Sequence, residues 1–79
     1  MLYAYTYVVC RSIRVWNNRM KGYVNEIAYI SDYSPCEIDM TAIKKNAQRF
    51  SLKSAQDIVD RFNELDHSEG CVYWVEEYV

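Results

Sequence analysis

The sequence predicts a two-layer α+β domain: a mainly antiparallel sheet of about three or four strands with one helix, near residues 52–66, across one face, in the order β-β-β-α-β. Three observations carry this. Apolar and β-favouring residues alternate with period two in the first half of the chain. A single 3.6-period apolar stripe follows Ser51. A length of 79 residues leaves room for one core, since a chain of this size buries only ~60% of its unfolded surface. Residues 1–79 are therefore read as a single domain.

Residues 2–10, rich in Tyr, Val and Thr, alternate as a strand, and 12–16 continue it after a bend near Arg11-Ser12. The run NNRMKG at 17–22 is a turn, in which Asn17, Asn18 and Gly22 tolerate positive φ. Residues 23–30 form a second strand. Pro35 breaks the chain at SDYSP because it has no N–H to donate to a ladder. The third strand, 36–43, alternates Glu37 and Asp39 with Cys36, Ile38 and Met40. Ser51 is placed to cap the helix, although Ser54 rather than Glu stands three residues on, so there is no capping box. Ala55, Ile58, Val59, Phe62 and Leu65 form the apolar stripe. Gly70 lies in the exit loop and 71–79 is the last strand.

One helix covers one sheet face, so the other face is wet or covered by something else. A helix packs most closely over small side chains. Ala4, Thr6 and Val8 are accordingly expected under it, with Tyr3, Tyr5 and Tyr7 on the uncovered face.

Composition narrows the function. Apolar residues make up 51% and aromatics 15% of the chain, which is a folded rather than a disordered composition. No apolar run reaches the length of a membrane span, and the first residues lack the basic lead of a signal peptide. A cytoplasmic location is expected. Cys10, Cys36 and Cys71 are far apart and odd in number, which fits free and mostly buried thiols in a reducing compartment. The net charge is −2, but it is blocked: residues 1–22, 23–43, 44–53 and 54–79 carry +4, −4, +4 and −6. Such blocking serves either strand pairing or oppositely charged surfaces.

Catalytic and metal signatures are weak. His67 beside Asp66 has no accompanying nucleophile or pocket and reads as an exposed histidine at a helix C-terminus. Cys10, Cys36, Cys71 and His67 lack the paired knuckle spacing of a zinc site. The two glycines, at 22 and 70, cannot form a phosphate loop. No catalysis, metal or cofactor is expected. Lys44, Lys45 and Arg49 with Phe50 suit single-stranded nucleic acid by phosphate pairing and base stacking. The acidic last third argues against direct nucleic-acid binding.

The stretch NAQRFSLKSAQDIVDRF at 46–62 resembles the Ala-x-x-Phe-Ser-x-x-x-Ala pattern of small accessory proteins of phages and mobile elements, anti-CRISPR proteins among them. The matching positions are Ala47, Phe50, Ser51, Ala55 and Ile58. The resemblance covers roughly a fifth of the chain and implies helix-docking core positions, with no functional residue carried over. It implies a non-catalytic inhibitor that binds a host protein, such as a nucleic-acid-processing effector, and occludes it.

Tyr3, Tyr5, Tyr7, Arg14 and Trp16, with Tyr29 and Trp74 as neighbours, are the expected binding surface, because Tyr, Trp and Arg dominate interface hot spots. A homodimer through the same face is the second reading. A nucleic-acid interface at Lys44, Lys45 and Arg49 is the third.

Overall fold

The computed structural model describes residues 6–34, 36–65 and 70–78. Four strands, β1 (Tyr7–Asn17), β2 (Gly22–Tyr33), β3 (Ile38–Thr41) and β4 (Val72–Glu77), form one sheet in the spatial order β3-β2-β1-β4. Every pairing is antiparallel. The one α-helix among the described residues, α1 (Leu52–Leu65), lies between β3 and β4 in sequence and crosses one face. The expected β-β-β-α-β order and helix position therefore hold.

No bend divides β1 at Arg11-Ser12. Cys10, Arg11 and Ser12 have partners on both sides, in β2 and in β4, and two ladders hold the strand as one element. Beyond Ser12 this changes. The β4 pairing stops at Val72 opposite Ser12, and β3 pairs with β2 only from Tyr29 onward. Ile13–Asn17 and Gly22–Glu26 are left with each other, as a two-stranded ribbon reaching out of the sheet. The molecule is correspondingly long, 49 × 26 × 20 Å.

The ribbon is closed by its own polar turn. The Asn17 side-chain oxygen accepts from the N–H groups of Arg19 and Met20, and the Asn17 carbonyl accepts from the Lys21 N–H at 2.8 Å. Lys21, with φ 54°, takes the left-handed conformation.

The core has two parts, one on each face of the sheet. On the helix side Val9, Ile30 and Phe50 meet Ala55, Ile58 and Val59, flanked by Tyr7, Tyr33, Met40, Phe62, Tyr73 and Val75. On the other side Val8 and Cys10 meet Ala47, flanked by Tyr29, Trp74 and Tyr78. The expected facing of the first strand is thus reversed: Tyr7 points toward the helix and Val8 away from it. Tyr3, Tyr5 and Ala4 lie outside the described residues.

The covers explain the reversal. α1 approaches through Ala55, which leaves room for Tyr7 and Phe50 beneath it. The opposite face is closed by a thin cover, a 3-10 turn (Lys44–Asn46) followed by Ala47, and only small side chains such as Val8 and Cys10 fit under it.

The chain passes from one face to the other between Ala47 and Phe50. The Gln48 N–H donates to the Ile30 carbonyl, and Phe50 exchanges two backbone hydrogen bonds with Tyr7 on the side of β1 away from β4. Beyond Val9 and Ile30, residues 48–50 therefore take the place of a β1–β2 ladder. The Gln48 side chain accepts from the Tyr33 N–H, next to the register shift between Ile30 and Asp32. The stretch at 44–50 is thus the plug that joins both cores. Full burial of Phe50 alone contributes ~1.5–3 kcal/mol.

Ser51 caps α1 as expected, its hydroxyl accepting from the Ser54 N–H at 3.2 Å. The stripe ends one turn early. Phe62 packs on Tyr33 and Tyr73, but Leu65, in the last turn, lies past this cluster and is exposed. The Asn63 amide pairs with both the N–H and the carbonyl of Tyr73, blunting the outer edge of β4. Of the thiols, only Cys10 is fully buried; Cys36 is exposed and Cys71 half-buried. The third strand is shorter than expected and leaves Cys36 outside the ladder.

Candidate functional site

The ribbon carries the densest exposed cluster of aromatic and basic side chains among the described residues. The turn fixes the register Asn17↔Gly22, and this sets Trp16 opposite Tyr23 and Arg14 opposite Asn25. Period-two alternation then puts Arg14, Trp16, Tyr23 and Ile27 on the face away from α1. Trp16 and Tyr23 meet edge to face, with centroids 5.3 Å apart and planes at 79°. The Arg14 guanidinium lies 5.5 Å from the Tyr23 ring centroid. The Trp16 indole N–H donates to the Asn18 side-chain oxygen at 2.8 Å.

These contacts hold the rings in place without hiding them. Trp16 is 54% exposed, Tyr23 66% and Met20, at the tip, 71%. Cross-strand aromatic pairing of this kind fixes two large side chains at little remaining entropic cost, which suits them to contact another surface. The charge is equally local. Arg11, Arg14, Arg19 and Lys21 stand in β1 and the turn, and Glu26 is the one acid between Arg11 and Ile27. Arg19 and Lys21 stand exposed at the tip itself.

Of the seven expected binding residues, Tyr3 and Tyr5 lie outside the described residues, and the other five do not form one surface. Arg14 and Trp16 lie on the ribbon. Tyr7 is half-buried on the opposite face, under α1. Tyr29 and Trp74 flank the second core, beside Val8 and Cys10. Tyr23, Met20 and Ile27 were not among them. Pairing NNRMKG as a hairpin turn would have set Tyr23 against Trp16 from the sequence alone.

Next to Trp74 lies a small polar network. Lys44 and Glu76 form an ion pair at 2.8 Å, and the Trp74 indole N–H donates to the other Glu76 oxygen at 2.9 Å. These hydrogen bonds, first from Lys44 and then from Trp74, hold the Glu76 carboxyl below its ordinary 4.5. The hydrogen bond to Glu76 raises Lys44 above 10.5. Burial, and then the Glu76 charge, push the Cys10 thiol up to about 12, so it stays protonated and unreactive at neutral pH.

The basic stretch is mostly turned inward. Lys44 is held by Glu76. The Arg49 guanidinium stacks 3.8 Å from the Tyr78 ring centroid and donates to the Ala47 carbonyl. Lys45 is exposed. The three cations do not present a common phosphate-binding row.

Among the described residues there is no detectable pocket, and no group of three His, Cys, Asp or Glu side chains is placed to hold a metal ion. No helix among them is long and apolar enough to cross a membrane. No family model, curated protein or solved structure matches this chain.

Proposed function

We propose that the chain is a non-catalytic protein-binding inhibitor of the phage anti-defence kind, acting in the host cytoplasm by occlusion of a host protein surface. The observation that supports this best is the ribbon: Arg14, Trp16, Met20 and Tyr23 are preorganised yet exposed, on an arm that reaches beyond the body. Interface cores are enriched in Trp, Tyr, Met and Arg. An arm of two strands enters a cleft that the wider body cannot, and the body then blocks its mouth. The proposed contact surface is accordingly the ribbon rather than Tyr7, which lies under α1.

The test starts with capture of a partner on the immobilised full chain, followed by titration of the purified partner. Occlusion requires that the chain reduce the partner's ligand binding or activity in proportion to occupancy, and that excess ligand displace the chain. A captured protein that keeps its full activity at saturating occupancy would overturn the inhibitor reading.

A further inference from the structure

The sheet face away from α1 carries opposite charge toward its two ends and an exposed apolar patch, Ile27 and Val72, at its middle. We propose that it pairs with a second copy of this chain about a twofold axis near Ser12 and Ile27. The inference stands apart from the inhibitor reading, because it concerns the chain alone.

Ser12 is flanked by Ile27 on β2 and by Val72 on β4. These two are 44% and 53% exposed, with the small Ser12 between them as a point of close approach. Toward one end the strip runs to the exposed Arg19 and Lys21 at the tip. Toward the other it runs to Asp32 and Asp39, also exposed. Tyr33 and Met40 pack toward α1, so Asp39, and Asp32 opposite it, fall on the same face as Ile27. The two carboxylates are direct cross-strand partners, an arrangement that is unfavourable until a cation approaches.

Ile27 lies about midway between the two charged ends, ~20 Å from Lys21 and ~17 Å from Asp32 at ~3.3 Å per residue. Rotation about a twofold axis there sets the Arg19–Lys21 tip of each copy against Asp32 and Asp39 of the other. The same rotation carries Trp16 to the position of Val8, where the second copy presents its 3-10 cover and the exposed Ile43. An apolar centre, two aromatic-on-cover contacts and two charge contacts thus coincide under a single operation, as an isologous interface requires. The strip, ~37 Å long and ~14 Å wide, gives an envelope of at most ~500 Å² per copy, the low end for specific interfaces and the size of a weak, reversible association. A partner that captures the ribbon would compete with this dimer.

Sedimentation equilibrium of the full chain from 5 to ~500 μM tests it. A monomer–dimer equilibrium is expected, rising from the 9.4 kDa of one chain toward twice that mass and weakening with added salt. R19E/K21E and D32K/D39K are each expected to weaken it at least tenfold. An equimolar mixture of the two variants, and the variant carrying all four changes, are both expected to regain it, because only opposed tips and ends restore the pairing. A wild-type chain that stays monomeric throughout overturns the proposal without any variant. So does a mixture that fails to associate when both components give cooperative melts. Tight, R19E/K21E-sensitive binding of a labelled DNA or RNA oligonucleotide by a chain that does not self-associate would assign the tip to nucleic acid instead. A monomeric chain that still captures and inhibits a partner would leave the inhibitor reading standing.

Discussion

Gly70→Ala should destabilise the fold far more than Gly22→Ala, and the difference measures how firmly the ribbon is rooted. Gly70 has φ +84°, and a Cβ there would lie 2.9 Å from the Arg14 Cβ. A left-handed residue with a Cβ costs about 1–2 kcal/mol. The clash is with the first atom of the Arg14 side chain, on a strand held there by its β2 ladder, so backbone must move, at about 1–3 kcal/mol. The lower entropy of the unfolded Ala chain returns ~0.4–1 kcal/mol. The net loss is about 1–4.5 kcal/mol, centred on ~3, or ~10–25 °C in Tm at that centre for a chain of this size. Gly22 has no positive φ, and its nearest atom to an added Cβ is the Met20 carbonyl oxygen at 4.0 Å. Gly22→Ala should be neutral or gain ~0.5 kcal/mol. Urea melts followed by tryptophan fluorescence read both, with Cm moving and the slope m unchanged. A Gly70→Ala midpoint within ~0.5 kcal/mol of wild type, or an equal loss in Gly22→Ala, would show that Gly70 does not pack on Arg14.

Three further outcomes are expected. Tyr7→Ala should cost about 2 kcal/mol in the same melt, because Tyr7 packs under α1; an unchanged melt would return it to the outer face. Glu76 has a lowered folded pKa, so its stabilisation is complete above the unfolded value near 4.5 and is lost as pH falls through the folded one. Stability should therefore drop below about pH 4.5, and Glu76→Gln should flatten that drop; an unaltered acid limb would contradict the network. Cys36 should react with an aromatic disulfide reagent in the folded chain and Cys10 only on unfolding; fast labelling of Cys10 would mean the 3-10 cover opens readily.

How much of this is legible in the sequence differs by element. Residues 52–65 are readable because the helix stripe, Ala55 to Phe62, is a local pattern, and Ser51 signals its start. The strands follow from alternation. Which face of β1 meets the helix does not, because Tyr7 and Val8 alternate identically under either choice. That choice is made by a long-range event, the passage of residues 48–50 between β1 and β2, to which Gln48 and Phe50 give no local signature. The ribbon's freedom is similarly non-local: it exists because β3 and β4 are short, a statement about residues 38–41 and 72–77 rather than about Trp16 or Tyr23.

The chemistry of Arg14, Trp16, Tyr29 and Trp74 is visible without a fold. What separates them is not: all four share a face, but Tyr29 and Trp74 are drawn into the second core by Val8 and Cys10. The same holds for Lys44 and Arg49. Their charge is plain in the sequence, whereas Glu76 and Tyr78, which hold them, come about 30 residues later.

The most direct test of the ribbon as the interaction surface is the affinity of Trp16→Ala/Tyr23→Ala for the captured partner, measured beside its urea melt. Both rings are more than half exposed, and their mutual contact is worth about 0.5–1.5 kcal/mol. The melt should therefore stay cooperative and shift by about 1 kcal/mol, while Kd rises at least ~100-fold, the loss of a hot-spot pair. An unchanged Kd with the same melt would place the binding surface elsewhere on the molecule.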